Sequence, residues 1–86
     1  MKNYIYKTKG VCSREIHIEI DDNNIITDAK YVGGCSGNTQ GVAALVKGMS
    51  VDEAISRLSG IKCGMKSTSC PDQLAVALTQ IKENKI

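Results

Sequence analysis

The spacing of apolar residues changes once along this chain, and that change limits the folds open to it. In Arg14-Glu15-Ile16-His17-Ile18-Glu19-Ile20 every second residue from Ile16 is isoleucine, the pattern of a strand with one face turned to a core. A looser alternation over residues 4–9, closed by Gly10, predicts a first strand, and residues 25–32 predict a third. Asp21-Asp22-Asn23-Asn24 reads as a turn, because short Asx side chains bond the local backbone and tolerate the left-handed region.

Beyond Gly37 the spacing lengthens to that of helices. One helix is predicted from Asn38 or Thr39 through Lys47, with Val42, Leu45, Val46 and Met49 inward and Gly48 at its end. Ser50-Val51-Asp52-Glu53 fits a capping box, in which Ser50 caps and Glu53 reaches back to the Ser50 amide. The short helix it opens turns Ala54, Ile55 and Leu58 inward and stops at Gly60. Pro71 suits a first helical turn, and Leu74, Leu78 and Ile81 carry a last helix to residues 82–84.

Strands with one apolar face followed by amphipathic helices predict an α+β fold. The expected architecture is a three-stranded antiparallel sheet covered on one face by about three helices. Eighty-six residues without linker, repeat or low-complexity tract imply a single domain over residues 1–86. With no Trp and no Phe, its core must be built from Ile, Val, Leu and Ala. Eleven basic against nine acidic residues, with signs alternating along the chain, exclude a strongly basic nucleic-acid binder and a charged disordered tail. No segment approaches the roughly 20 apolar residues of a membrane span, and residues 1–7 carry no apolar leader run. The expectation is a cytoplasmic protein with reduced thiols and neither membrane nor nucleic acid as partner.

The four cysteines are the unusual feature. Cys12 falls in the connection between the first two strands, and Cys35 in the turn Gly33-Gly34-Cys35-Ser36-Gly37. Cys63 falls in a loop and Cys70 at the start of the last helix. A cysteine kept only as a small hydrophobe belongs more naturally inside a strand or helix. Helix N-termini favour the thiolate, the form that binds zinc or iron and attacks disulfides. The spacing C-x22-C-x27-C-x6-C lacks the C-x2-C knuckles of zinc sites, so metal ligation, inert packing and redox chemistry all stay open on residues alone.

Other groups offer less. The glycine-rich turn leads from strand to helix, where phosphate could meet backbone amides, but it matches neither a P-loop nor Gly-x-Gly-x-x-Gly. His17, the single histidine, lies with Glu15 and Glu19 on the polar face of its strand and reads as solvent-facing. Thr68 and Ser69 read as caps, and Asp72 as a carboxylate complementing the helix dipole.

Thr68-Ser69-Cys70-Pro71-Asp72 spells the motif that names the TSCPD domain family. The stretches Gly33-Gly34-Cys35-Ser36-Gly37-Asn38, Gly48-Met49-Ser50-Val51-Asp52-Glu53-Ala54, Gly60-Ile61-Lys62-Cys63-Gly64 and Gln73-Leu74-Ala75 resemble it too. That family occurs as short stand-alone bacterial proteins and as the C-terminal region of vitamin-B12-dependent (class II) ribonucleotide reductases. More distantly, Cys12, the hairpin stretch from Asp21 to Ala29, Gly34-Cys35 and the stretch from Val46 to Ala54 are similar to the NifU/IscU-type iron–sulfur scaffold. By order, that scaffold's three cysteines fall on Cys12, Cys35 and Cys70. Where it carries an acidic ligand two residues past its first cysteine, this chain has Arg14. Where it carries histidine before its last, this chain has Ser69, and its Pro-Pro stretch is missing.

The resemblance implies a small metal-binding accessory domain. Cys12, Cys35 and Cys70 would be ligands, Cys63 a fourth, and zinc or an iron–sulfur cluster the occupant. It also implies a protein partner, either a ribonucleotide reductase or a thiol or iron–sulfur protein. The alternatives are a ribonucleotide-reductase-related protein relaying reducing equivalents in trans through its thiols, and a non-catalytic interaction module. Reductase activity by the chain alone is not expected, because 86 residues cannot hold that enzyme's barrel.

Overall fold

Three strands come first and three helices after, as the change in spacing requires. A computed structural model describes residues 2–11, 13–33, 36–62 and 68–85, with Ser36–Asn38 described by backbone alone. The strands are β1 (Lys2–Lys7), β2 (Ser13–Ile20) and β3 (Ile26–Gly33), and the helices are α1 (Ser36–Val46), α2 (Val51–Leu58) and α3 (Cys70–Lys82). The strands form an antiparallel sheet in the order β1-β2-β3, which leaves β1 at an edge. This is the expected α+β fold.

Ile16, Ile18 and Ile20 are buried, as their alternation demands, and face Tyr6, Tyr4 and Lys2 across the β1–β2 pairing. Helix α1 lies against β3, α3 lies against β2, and α2 lies against α3. Val46, Val51, Ala54, Leu74, Ala77 and Leu78 join the isoleucines in one core. The turn before β3 is held as its Asx residues predict. Asp21 Oδ1 accepts from the amides of Asn23 and Ile25, and Asn24 takes φ 60°.

Two bulges adjust the alternation. Ser13 pairs with Gly33 and Glu15 with Val32, so Arg14 is an extra residue on β2. Because side chains alternate strictly, that residue reverses the parity of what precedes it, and Ser13 turns into the core beside Ile16. Thr27 plays the same part on β3, letting both Ile26 and Ala29 turn inward. The Thr27 hydroxyl is drawn to β2, donating to the Glu19 carboxylate at 2.7 Å.

Three local expectations change. Strand β1 runs over Lys2–Lys7 rather than 4–9, because the Lys9 amide leaves the sheet to bond a side chain of α3. Leu45 is 72% exposed. The inward face of α1 runs instead through Thr39, Val42, Ala43 and Val46, and Leu45 lies about 100° round the helix from Val46. Ser50 does cap α2, accepting from the Glu53 amide at 3.1 Å. The Glu53 carboxylate, however, pairs with Arg57 at 2.7 Å, a bond available one helical turn on.

Candidate functional site

The site is built around the first turn of α3. Ser69 is its N-cap, with extended backbone, and its hydroxyl oxygen accepts from the Asp72 amide at 3.1 Å. Pro71 follows in that turn, where a missing N–H costs nothing. The cap leaves Cys70 as the first helical residue, 6% exposed.

Two distant segments close over Cys70. Its sulfur shares a 3.3 Å hydrogen bond with the buried Ser13 hydroxyl, which the Arg14 bulge turns inward. Tyr31 of β3 donates its phenol proton to the Cys70 carbonyl oxygen at 2.8 Å. Burial pushes the Tyr31 phenol well above its ordinary range, and the neighbouring Cys70 thiol pushes the same way. Tyr6 is raised as well, by burial and then by the negative charge of Asp72.

A polar network surrounds this turn. Asp72 Oδ1 accepts from the Gly60 amide at 2.7 Å, and Oδ2 accepts from the Thr68 hydroxyl at 2.5 Å. The Ser69 hydroxyl donates to the Ile61 carbonyl at 2.6 Å. Gln73, also buried, accepts from the Lys9 amide at 3.0 Å through Oε1 and donates to Thr68 Oγ1 at 3.1 Å through Nε2. Gly10 sits against Thr68, at φ +72°, with only 3.5 Å between the Thr68 methyl carbon and the place a Cβ would take. Ser69 and Asp72 therefore serve α3 as the sequence expects, and Thr68 is a bridge to Asp72 rather than a cap.

Of the four candidate ligands, Cys70 is described. Cys12, Cys35 and Cys63 lie outside the described residues, and among those residues no group of three or more metal-ligating side chains converges. The described neighbours of two of these cysteines do converge. Ser13 and Gly33 are paired across β2 and β3, and Ser13 touches Cys70. His17 is on the solvent face, 3.1 Å from Glu15, as expected of it. A cleft of about 510 Å³ lies at the other end of the sheet, between the Asp21–Asn24 turn and the ends of α2 and α3, away from the cysteine.

The TSCPD domain family model matches residues 3–82. The chain belongs to the TSCPD domain family. In this TSCPD domain the naming motif is thus a capped helix start whose Asp72 and Ser69 tie down the segment that follows α2, at Gly60 and Ile61, while the next residue, Gln73, holds Lys9. No curated protein and no solved structure matches the chain. Among the described residues no helix of the TSCPD domain is long and apolar enough to cross a membrane. Ser13, Tyr31 and Gln73 are the site residues that reading the sequence missed. Tyr31 could have been found from its alternation with Ala29, whereas Ser13 and Gln73 owe their places to a bulge and to a tertiary contact.

Proposed function

We propose that this TSCPD domain is a small cysteine-dependent metal-binding accessory domain, with Cys12, Cys35 and Cys70 as ligands and Cys63 as the fourth. The observation that carries the reading is the Ser13–Cys70 contact combined with the Ser13–Gly33 pairing. Residue 12 is covalently bound to Ser13, and residue 35 is two positions from Gly33. The described positions Ser13 and Gly33, which precede or follow those residues in the chain, lie at the pole where Cys70 sits, and this supports the reading. The donor chemistry fits the group: a set of thiolates suits zinc or an iron–sulfur cluster, and the Ser13 hydroxyl can donate to a bound sulfur. When bound, either would hold the loops at this pole together. The residues of this chain supply the ligands, the Ser13 hydrogen bond and the exclusion of water by Tyr31 and Ser13. The partner, by resemblance, is a ribonucleotide reductase or another thiol or iron–sulfur protein.

Elemental analysis of anaerobically purified protein tests this. The expected result is about one zinc or one iron–sulfur cluster per chain, lost in Cys70→Ser while the far-ultraviolet circular dichroism is kept. Metal at background with four titratable thiols overturns it. Reversible disulfide formation coupled to a reductase would then favour the relay reading. Full folding and partner binding in Cys→Ser variants at 12, 35 and 70 would favour a plain interaction module.

A further inference from the structure

Strand β1 pairs with β2 on one side and has no strand on the other. Alternate backbone N–H and C=O groups of Lys2–Lys7 therefore point away from the sheet, and among the described residues none of them meets a partner there. Helix α3 packs on β2, and the cleft of about 510 Å³ opens beside β1, lined by Lys2 and Tyr4 of the strand and by Ile81 and Lys82 of the helix. Tyr4 and Ile81 are half-buried, and on the opposite face of the strand Ile5 is 59% exposed. An extended segment laid along β1 would bond its outer backbone and meet an apolar side chain on each face, at Tyr4 and at Ile5.

Charge says which segment fits. Residues 2–9 carry Lys2, Lys7 and Lys9 and no acidic residue. Lys2 and Lys7 are exposed at the two ends of β1, and among the described residues neither has an ion-pair partner. Glu15, across the sheet from Lys7, is turned to His17 at 3.1 Å. In the cleft, Asp52 pairs with Lys82 at 2.6 Å and Asp21 holds the amides of its own turn, which leaves Asp22 as its one carboxylate without such a bond among the described residues.

We propose that β1 is a docking edge for an extended segment of a partner protein, one with a carboxylate at each end and apolar side chains between. Added as a fourth strand, the segment makes main-chain hydrogen bonds that any sequence could make, while the two lysines select the acidic one. Lys2 and Lys7 stand five positions apart. The carboxylates then stand five apart as well, on opposite faces of the segment. This edge is independent of the cysteines and of any metal.

The test titrates the isotope-labelled full chain with a synthetic probe, acetyl-Glu-Thr-Val-Ile-Thr-Glu-amide, and with a twin in which lysine replaces both glutamates. In either strand direction the probe's Val and Ile fall opposite Tyr4 and Ile5. Probe at about 1 mM is expected to shift the amide signals of residues 2–7 and slow their hydrogen exchange, leaving those of β3 unchanged. The lysine-ended twin should bind about tenfold more weakly, because two cross-strand charge pairs turn from attraction to repulsion. Lys2→Glu and Lys7→Glu together should reverse the preference by about the same factor, and binding of the twin shows that this variant is folded. No shift with the glutamate-ended probe, equal binding of the two probes by the wild type, or shifts that leave out residues 2–7 would each overturn the proposal. So would broadening of the β1 signals with protein concentration alone, since a second copy would then occupy the edge.

Discussion

The Ser13 hydroxyl lies 3.3 Å from the Cys70 sulfur, across 57 positions of sequence, because one extra residue in β2 reverses the direction of its side chain. In strict alternation with Ile16, Ser13 would face solvent.

The bulge is therefore open to direct trial. Ser13→Ala removes one buried hydrogen bond and is expected to cost about 1 kcal/mol in urea denaturation. Arg14→Ala keeps the bulge and stays within about 0.5 kcal/mol of the wild type. Deleting Arg14 turns Ser13 outward and costs more than Ser13→Ala. A deletion as mild as Arg14→Ala would mean that the bulge does not aim Ser13.

Tyr31 gives the protein an alkaline limit. Its folded-state affinity for the phenol proton is raised by burial and by Cys70, so the folded state keeps a proton that an unfolded tyrosine loses near pH 10. The stability it contributes is full below that pH and falls as pH rises beyond it. Tyr31→Phe should flatten part of this alkaline loss, Tyr6 supplying the remainder. It should also cost about 1 kcal/mol at neutral pH through the bond to the Cys70 carbonyl. Denaturation midpoints between pH 7 and about 11 measure both effects.

Leu74 and Leu45 are the same residue in opposite surroundings. Leu74 is fully buried and Leu45 is 72% exposed. Leu74→Ala should cost about 2–5 kcal/mol and Leu45→Ala less than about 0.5 kcal/mol. Equal losses would contradict the inward face assigned to α1.

Alanine should act with opposite sign at two glycines. Gly41 lies within α1 with open space about its Cβ position, so Gly41→Ala is expected to stabilise by about 0.5–1 kcal/mol. Gly48 has equally open space but φ +87°, so Gly48→Ala is expected to destabilise by about 1–2 kcal/mol. Thermal unfolding of the two variants decides the point.

What was legible in the sequence was local. The isoleucine alternation, the Asp21–Asn24 turn, the Ser50 cap and the start of α3 at Ser69 each depend on residues within one turn or strand of each other. The parity changes at Arg14 and Thr27 were hidden because a bulge is chosen by packing on both sides of it, and no residue type announces it. Leu45 misled because residues 42, 45, 46 and 49 can be drawn on one side of a wheel, while packing against the core selects 39, 42, 43 and 46. Around Cys70 the sequence identified the helix start and the cap. The hold of Asp72 on Gly60 and of Gln73 on Lys9 spans 12 and 64 residues, beyond any periodicity.

Strand β1 forms a border of the sheet, and lysine stands at each of its ends, Lys2 and Lys7. Two molecules adding strand to strand there would set ammonium against ammonium. Antiparallel pairing opposes Lys2 with Lys7, and parallel pairing matches each with itself. At the other border, Ile26 is already bonded to Gly48 and Met49, at 2.8 Å each. The protein thus carries its own protection against growing into a continuous sheet, and salt, by screening the lysines, would weaken that protection on the β1 side.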